Sequence, residues 1–262
     1  MTPLLTPLAS SPCQTAVPTL APTQPESPPL TVLIPVYNEE RTIDELLRRV
    51  AAGPYPNKEV IVIDDGSADA TSQLLEAWAE RPGFRVLRHT TNQGKGAAVR
   101  TGLAKARGEV TIIQDADLEY DPADYPLLVE PIRRKEAEAV FGSRYLAPTR
   151  QLPWTKFRLG VMLFNGMVRV LYGQRLTDEA TCYKAVRTTL FHALDLQAAR
   201  FEMCPEMTAK LCRLGVRIVE VPISYRPRSV KDGKKIGWRD GVQAVWTLLK
   251  WRAASFRRGP TS

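Results

Sequence analysis

The stretch "LTVLIPVYN", Leu30 to Asn38, decides how the rest of the chain is read. It is continuously apolar and rich in β-branched residues, the pattern of a strand covered on both faces rather than one alternating toward solvent. The next segment, "EERTIDELLRRVAA", places Ile43, Leu46, Leu47 and Val50 at helical spacing. The pair then recurs: a strand at "EVIVID" (59–64), a helix through Leu74 and Trp78, a strand at "FRVLRH" (84–89), a helix from Ala97 to Ala106, and a strand at "EVTIIQ" (109–114). Parallel strands need crossover connections, and helices supply them. The alternation therefore predicts an α/β fold with a mainly parallel central sheet and helices on both faces. Beyond Val140 the expected elements are a strand at "AVFGSR", a helix from Phe157 to Tyr172 and a strand near "TCYKAV". A helix around "PEMTAKLCRL", a strand at "VRIVEVPISY" and a last helix from Trp238 to about Phe256 complete the chain.

Ligands of such sheets sit beyond the carboxyl ends of the strands. The polar clusters fall there: "PVYNEE" after the first strand, "DDGSADAT" after the second and "QDADLEY" after the fourth. Asp115, Asp117 and Glu119 alternate in the last of these, so several segments bring carboxylates to one rim. A dinucleotide-binding turn would put glycines after the first strand, where this chain has "PVYNEE". "NQGKGAAVR" (92–100) fits neither G-x-G-x-x-G nor the Walker pattern, and by itself predicts only a tight turn entering a helix. Phosphates at an acidic rim call for a cation. Mg2+ or Mn2+ suits it, since these ions take hard oxygen ligands and often use one or two carboxylates plus the substrate's own phosphate oxygens. Asp-x-Asp alone reads equally well as a solvated acidic turn. Of Asp64 and Asp65, one is expected to cap the following helix with Ser67, which leaves Asp65 for the pocket.

Nine stretches in order carry more than any one of them: "IPVYNEE", "VIDDGSADAT", "NQGKGAAVRTGLAKARGE", "QDADLEYDP", "GSRY", "LTDEATCYKA", "FEMCPE", "EVPISYRPR" and "GKKIGWRDG". Together they resemble the inverting family 2 glycosyltransferases of GT-A fold, in particular the branch of dolichyl-phosphate mannose synthase and bacterial polyprenyl-phosphate sugar transferases. The likeness runs from Leu30 to about Gly241. It implies that Pro35, Tyr37 and Glu39 line a nucleotide pocket closed by Ile63 and Asp65. It further implies that Asp115 and Ala116 contact the nucleotide-sugar, and that Asp117 binds both the sugar nucleotide and the metal, with Glu119 at a second metal-ligand position. Arg144, Arg228 and Lys235 would hold phosphates, with Lys234 as the alternative to Lys235. Lys95 is read as either a solvated helix-start lysine or a sugar or phosphate contact. Ala70 departs from the Gly that many relatives carry in "DGSxDGT", which leaves that turn open. The expected catalytic set is Asp115, Asp117, Arg144 and Asp178.

The resemblance implies transfer of one hexose from a GDP- or UDP-sugar to a polyprenyl phosphate. A sugar hydroxyl generally needs a positioned base, whereas a phosphate monoester already carries an anionic oxygen and needs cationic positioning. Asp178, Glu202 and Glu206 are the base candidates, with Asp178 placed nearest the acceptor. Processive synthases of the wider family carry QxxRW; "QAARF" (197–201) lacks the Trp, which favours single transfer. The alternatives are a glycosyltransferase acting on a soluble hydroxyl acceptor and a non-catalytic nucleotide-sugar binder.

Charge adds to this picture. The chain of 262 residues carries a net charge of +8, and Arg226 to Arg258 alone holds ten Lys or Arg against Asp232 and Asp240. The body is thus neutral and the end basic, which points to an anionic partner. Nucleic acid is not expected, because it would leave the acidic rim without a role. Residues 1–29, rich in Pro, Thr and Ser and without Lys or Arg, read as a disordered tail. A catalytic domain over 30–225 and a basic segment with an amphipathic helix over 226–262 follow. Cys13, Cys182, Cys204 and Cys212 match no metal or disulfide framework and read as cytosolic free thiols. No spanning helix is expected. In "RLGVMLFNGMVRVLY", Arg158, Asn165 and Arg169 fall within about 40° on a helical wheel, with apolar residues elsewhere. The final helix gathers Trp238, Val242, Val245, Trp246 and Leu249 beside Lys250, Arg252, Arg257 and Arg258. Both suit an anionic membrane surface or packing onto the core. The expected location is cytoplasmic, peripheral on the inner face of the plasma membrane.

Overall fold

Strand β1 (Leu30–Val36) lies near the middle of a seven-stranded sheet. The structure is a computed structural model that describes residues 28–146, 156–228 and 238–255. β2 (Glu59–Asp64) and β3 (Phe84–Arg88) extend the sheet on one side of β1, and β4 (Val110–Ile113) pairs on the other, all parallel. β5 (Ala139–Ser143), β6 (Lys184–Arg187) and β7 (Ile218–Pro222) complete it, in the order β3-β2-β1-β4-β6-β5-β7. β6 is antiparallel to both β4 and β5, and β5 pairs parallel with β7, so one reversed strand interrupts a parallel sheet.

Leu30, Val32, Leu33, Ile34, Ile61, Val62 and Ile63 are fully buried, as a strand with both faces covered requires. Each such side chain contributes about 1.5–3 kcal/mol relative to exposure. Helices α1 (Ile43–Ala52), α2 (Thr71–Ala79) and α3 (Lys95–Leu103) follow the first three strands. α1 buries the same Ile43, Leu46, Leu47 and Val50 that marked its apolar face. α3 lies close on the sheet because Gly102 has no side chain: a Cβ there would stand 2.6 Å from Ile63 Cδ1.

Two helices escaped the periodicity. α4 (Tyr125–Arg133) carries two prolines, Pro126 in its first turn, where no backbone donor is needed, and Pro131 near its end. α6 (Thr188–Ala193) is short and continues directly from β6. α5 (Lys156–Tyr172), α7 (Met203–Arg213) and α8 (Trp238–Ala253) close the fold. α8 packs against α5 and α7, burying Leu248 and Trp251, and the Tyr172 hydroxyl donates to the Leu248 carbonyl. Residues 1–27 of the expected tail, with Cys13 among them, and Lys234, Lys235, Arg257 and Arg258 lie outside the described residues; the Pro28 and Pro29 carbonyls accept from Glu109 N and Val110 N at the start of β4.

Candidate active site

The loops at the carboxyl ends of β1, β2 and β4 are laced into one rim. After β1, Asn38 adopts a left-handed φ of 51° and its side-chain oxygen accepts from Ala68 N, while Ser67 Oγ accepts from Asn38 N. Asp64 turns back to accept from Ser67 N and the Ser72 hydroxyl. It ties the turn, and Asp65 projects beyond it. Ala70 sits at φ −72°, a conformation any residue adopts, so the departure from Gly has no backbone consequence.

Asp65 is a hub. Its carboxylate accepts from Gln93 N at 2.9 Å and Gly94 N at 2.7 Å, and pairs with His89 Nδ1 at 2.6 Å. The other His89 ring nitrogen is 2.9 Å from Thr101 Oγ1, which holds the imidazole. His89 carries no periodic or motif signal in the sequence; it follows the last residue of β3, and its backbone N donates to the Asp64 carbonyl. The glycines of the "NQGKG" turn are required by close packing. A Cβ on Gly94 or Gly96 would approach the carbonyl oxygens of Ala199 and Ala198 at 2.5 and 2.4 Å, and Ala97 N donates to Ala199 O.

Lys95, at the start of α3, turns into the site and pairs with Asp115. Burial, the largest single effect, works against its ammonium, but the Asp115 charge and hydrogen bond together with the Cys182 and Cys204 thiols outweigh it and hold its pKa well above the ordinary value. Asp117 follows on a sharp turn in which Leu118 has φ 60° and Glu119 N donates to Asp117 Oδ1. The Asp117 carboxyl is pushed up to about 7, first by burial and then by the charges of Asp115 and Glu119. Among the described residues it has no ion-pair partner of its own.

The basic end is clipped onto this acidic turn. Arg226 N donates to the Glu119 carbonyl, and Arg228 N to Glu119 Oε1 at 2.8 Å. Arg228 Nε donates to the Asp117 carbonyl at 2.7 Å, and its Nη2 to Glu39 Oε2 at 2.9 Å. Tyr120 bridges to Tyr225, and its ring stacks on Tyr183 with centroids 5.0 Å apart.

These groups enclose a cavity of about 330 Å³. Pro35, Tyr37, Glu39 and Asp65 form one side of its lining; Lys95, Asp115, Ala116, Asp117 and Glu119 another; Arg144 and Arg228 a third. Tyr120, Cys182, Phe201 and Tyr225 also line it; each lies in one of the nine stretches but was assigned no role there, and Arg200, outside those stretches, joins them. Two expected site residues stand elsewhere. Ile63 is fully buried within β2, its side chain against Gly102, because strand alternation turns it into the core. Asp178 does not line the cavity. It has no solvent exposure and takes Arg144 Nε and Nη2 at 2.7 Å each, plus Arg144 N at 3.0 Å. It positions the arginine and is not placed as a base. The other base candidates are also committed: Glu202 accepts from Ala199 N and Arg200 N, and Glu206 from Gln197 N, Ala198 N and Lys210.

A divalent cation fits this arrangement by its charge. Asp117 and Glu119 present adjacent carboxylates whose mutual repulsion a cation would relieve. No group of three or more acidic, His or Cys side chains forms a metal cage among the described residues, as expected where substrate phosphates complete the shell.

A solved structure of glucosyl-3-phosphoglycerate synthase from Mycobacterium tuberculosis, in complex with Mn2+, UDP and phosphoglyceric acid, superposes with a TM-score of 0.65 at 21% identity, covering 86% of this chain and 79% of that one. S. aureus TarS in complex with UDP-GlcNAc gives 0.58 at 21% identity, covering 85% and 66%. These likenesses show the GT-A fold. The undecaprenyl-phosphate mannosyltransferase of Micrococcus luteus is 33% identical over 231 residues, 85% of this chain and 93% of that protein. The dolichol-phosphate mannosyltransferase of Pyrococcus furiosus is 27% identical over 228 residues, 85% of this chain and 64% of that protein. The undecaprenyl-phosphate 4-deoxy-4-formamido-L-arabinose transferase of Edwardsiella ictaluri is 30% identical over 210 residues, and the chain spans 62% of its length. The family model described as glycosyl transferase family 2 matches residues 31–194, the segment that builds β1 to β6, and with a GT-A sheet and acidic rim to match, the chain belongs to that family of enzymes.

Proposed function

We propose that this glycosyltransferase moves a single hexose from a GDP- or UDP-sugar to a polyprenyl phosphate, with inversion at the anomeric carbon and Mg2+ or Mn2+ as cofactor. One observation carries the choice of acceptor. The three carboxylates that could deprotonate a hydroxyl, Asp178, Glu202 and Glu206, are all held by arginine, lysine or backbone donors. Arg144 and Arg228, in contrast, line the cavity. A phosphate acceptor brings its own anionic nucleophile and meets cations. The polyprenyl-phosphate sugar transferases among the relatives support the same reading.

On this reading Tyr37 and Asp65 face the nucleotide base and ribose. Asp115 and Ala116 orient the sugar nucleotide, and Lys95 sets the position of Asp115. Asp117 and Glu119 would hold the cation, which supplies Lewis-acid stabilisation of the departing diphosphate. Arg144, fixed by Asp178, and Arg228 screen the phosphates; Lys234 or Lys235 adds to them from outside the described residues. Attack by the acceptor oxygen from the face opposite the leaving group gives inversion.

A lipid acceptor also requires access to a membrane. Among the described residues no helix is long and apolar enough to cross one. α5 instead exposes Leu159, Met162, Leu163 and Val170, the last at 84%, on one side of its wheel. The adjacent α8 exposes Val242, Trp246 and Leu249, with exposed Lys250 and Arg252 in its last turn. We read these as a peripheral contact with an anionic bilayer on its cytoplasmic face. The test incubates the protein with Mn2+ or Mg2+, a panel of radiolabelled nucleotide-sugars, and undecaprenyl or dolichyl phosphate. Label entering the organic phase is the expected result; label found only on a water-soluble acceptor overturns it.

A further inference from the structure

Two thiols at the edge of the cavity have no part in the transfer. Cys182, in the segment leading to β6, lines the cavity; Cys204, in the first turn of α7, lies behind it. Their sulfurs are 3.8 Å apart and both residues are almost fully buried. Each is held in place by its backbone. Cys182 N donates to the Tyr120 hydroxyl and its carbonyl accepts from Lys184 N. Cys204 N donates to the Phe201 carbonyl and its own carbonyl accepts from Thr208 Oγ1. A pair of thiols in contact, one of them on the wall of a cavity open to small solutes, is neither a packing necessity nor a metal site.

We propose that Cys182 and Cys204 form a reversible dithiol–disulfide pair, oxidised by hydrogen peroxide that enters through the substrate cavity. A thiolate of the pair attacks the peroxide, forming an S–O bond as the O–O bond breaks and releasing one water once the leaving oxygen is protonated. The second sulfur then attacks the resulting sulfenic acid, forming the S–S bond and releasing a second water. Two thiols thus lose two hydrogens and two electrons, and the peroxide is reduced to two waters. Cations favour the first step. The Cys182 hydrogen bond, with the Lys184 and Lys95 charges, holds the Cys204 thiol below its ordinary value against the opposing effect of burial.

The consequence follows from where the two sulfurs are anchored. A disulfide needs them at about 2.05 Å, so the present separation must contract by about 1.8 Å. Cys182 shares its segment with Asp178, which holds Arg144, and Cys204 follows Arg200 and Phe201, which also line the cavity. Contraction between the two sulfurs therefore pulls on both lining segments and shifts the side chains they carry. A misplacement on the order of 1 Å at a reacting site can slow turnover by about 10²-fold.

The experiment treats the full-length protein with hydrogen peroxide and digests it without reduction. Expected are a mass lower by two hydrogens, a cross-linked peptide joining Cys182 and Cys204, and a loss of transferase turnover of about 10²-fold that dithiothreitol reverses. In Cys204→Ala, checked for native melting, peroxide produces neither the cross-linked peptide nor a dithiothreitol-reversible loss. Recovery of 182 and 204 only as separate peptides overturns the proposal, and so does a cross-linked protein with unchanged turnover. The activity readout rests on the proposed transfer reaction. Peptide mapping does not, and binding of Mn2+–nucleoside diphosphate before and after oxidation reports on the cavity even if the acceptor is a different molecule.

Discussion

Replacing Asp117 by Asn removes a charge that the folded protein holds unfavourably. The carboxyl moves from an ordinary 3.8 to about 7, because burial disfavours its charged form and Asp115 and Glu119 repel it. At 1.36 kcal/mol per pKa unit, that shift corresponds to about 4 kcal/mol at most. Partial exposure and the sharing of protons with its neighbours reduce this to about 2 kcal/mol. The sign follows from counting protons. Folded Asp117 keeps its proton to higher pH than the unfolded chain does, so this contribution to stability is complete below about pH 4 and is lost as pH rises through about 7. Above that, the metal-free protein carries the whole penalty. Asn cannot ionise and escapes it, while its side-chain oxygen can still accept from Glu119 N.

In chelator at pH 8, D117N is therefore expected to melt about 4–8 °C above the wild type, since about 2 kcal/mol moves Tm by that much in a chain of this size. The difference shrinks toward zero as pH falls to about 4. Added Mn2+ reverses the ranking. At 100 times its Kd it stabilises the wild type by about 2.7 kcal/mol and leaves D117N unmoved. Turnover of D117N falls by on the order of 10²–10³-fold, the equivalent of several kcal/mol of lost charge stabilisation. Thermal melts at four pH values with and without Mn2+ decide the matter. A D117N protein that melts at or below wild type at pH 8, or gains as much from Mn2+, refutes the reasoning.

Four further outcomes are expected. Asp178→Asn leaves the buried Arg144 guanidinium without its charge partner and destabilises by about 3–5 kcal/mol in urea titration; its residual activity keeps the wild-type pH profile, which loss of a general base would alter. Gly96→Ala places a Cβ 2.4 Å from the Ala198 carbonyl oxygen and lowers stability by about 1–3 kcal/mol, whereas Gly160→Ala in α5 meets nothing within 4 Å and does not lower it. His89→Ala removes a support of Asp65 and raises KM for the nucleotide-sugar about tenfold with little change in kcat, as steady-state kinetics will show. Trp246→Ser combined with Lys250→Glu weakens flotation with anionic vesicles and leaves turnover on a short-chain, water-soluble acceptor phosphate unchanged.

How much of this was legible in the chain differs by element, for physical reasons. β1 to β4 stand within a residue or two of their expected bounds, because a strand buried on both faces must be apolar throughout and writes itself as a run. α4 was hidden by prolines that are harmless at its ends. At the site, the acids of "QDADLEY" and the Asp65 position were readable because the ends of parallel strands share one rim. Ile63 was not, since it lies within β2 under α3, whereas Asp65 stands just past the end of the strand. Asp178 looked like a loop acid open to an acceptor; its burial depends on Arg144, a partner on a different strand end that local sequence cannot reveal. The same holds for Tyr120, whose neighbours Tyr183 and Tyr225 are brought to it only by the folded sheet.

The distribution of charge around the cavity explains why an acidic rim and a basic segment belong together. Asp115 is matched by Lys95, Glu39 by Arg228, and Asp178 by Arg144. Asp117 and Glu119 belong to none of these ion pairs, and the elevated pKa of Asp117, raised by burial and by Asp115 and Glu119, records the imbalance. A divalent cation would complement it, and a nucleoside diphosphate would in turn complement the cation. Arg228 spans both needs, since its guanidinium now neutralises Glu39 and donates to the Asp117 carbonyl. A cation held by Asp117 and Glu119 would neutralise the acidic turn that now draws the guanidinium, and a substrate phosphate would then be an anion within reach of Arg228. On the proposed reading, a hydroxyl acceptor would bring no charge to the cavity wall that Arg144 and Arg228 line, and would require a base that Asp178, Glu202 and Glu206 are not placed to be. A phosphate monoester satisfies both conditions with one group, and for that reason the acceptor is best sought among anions.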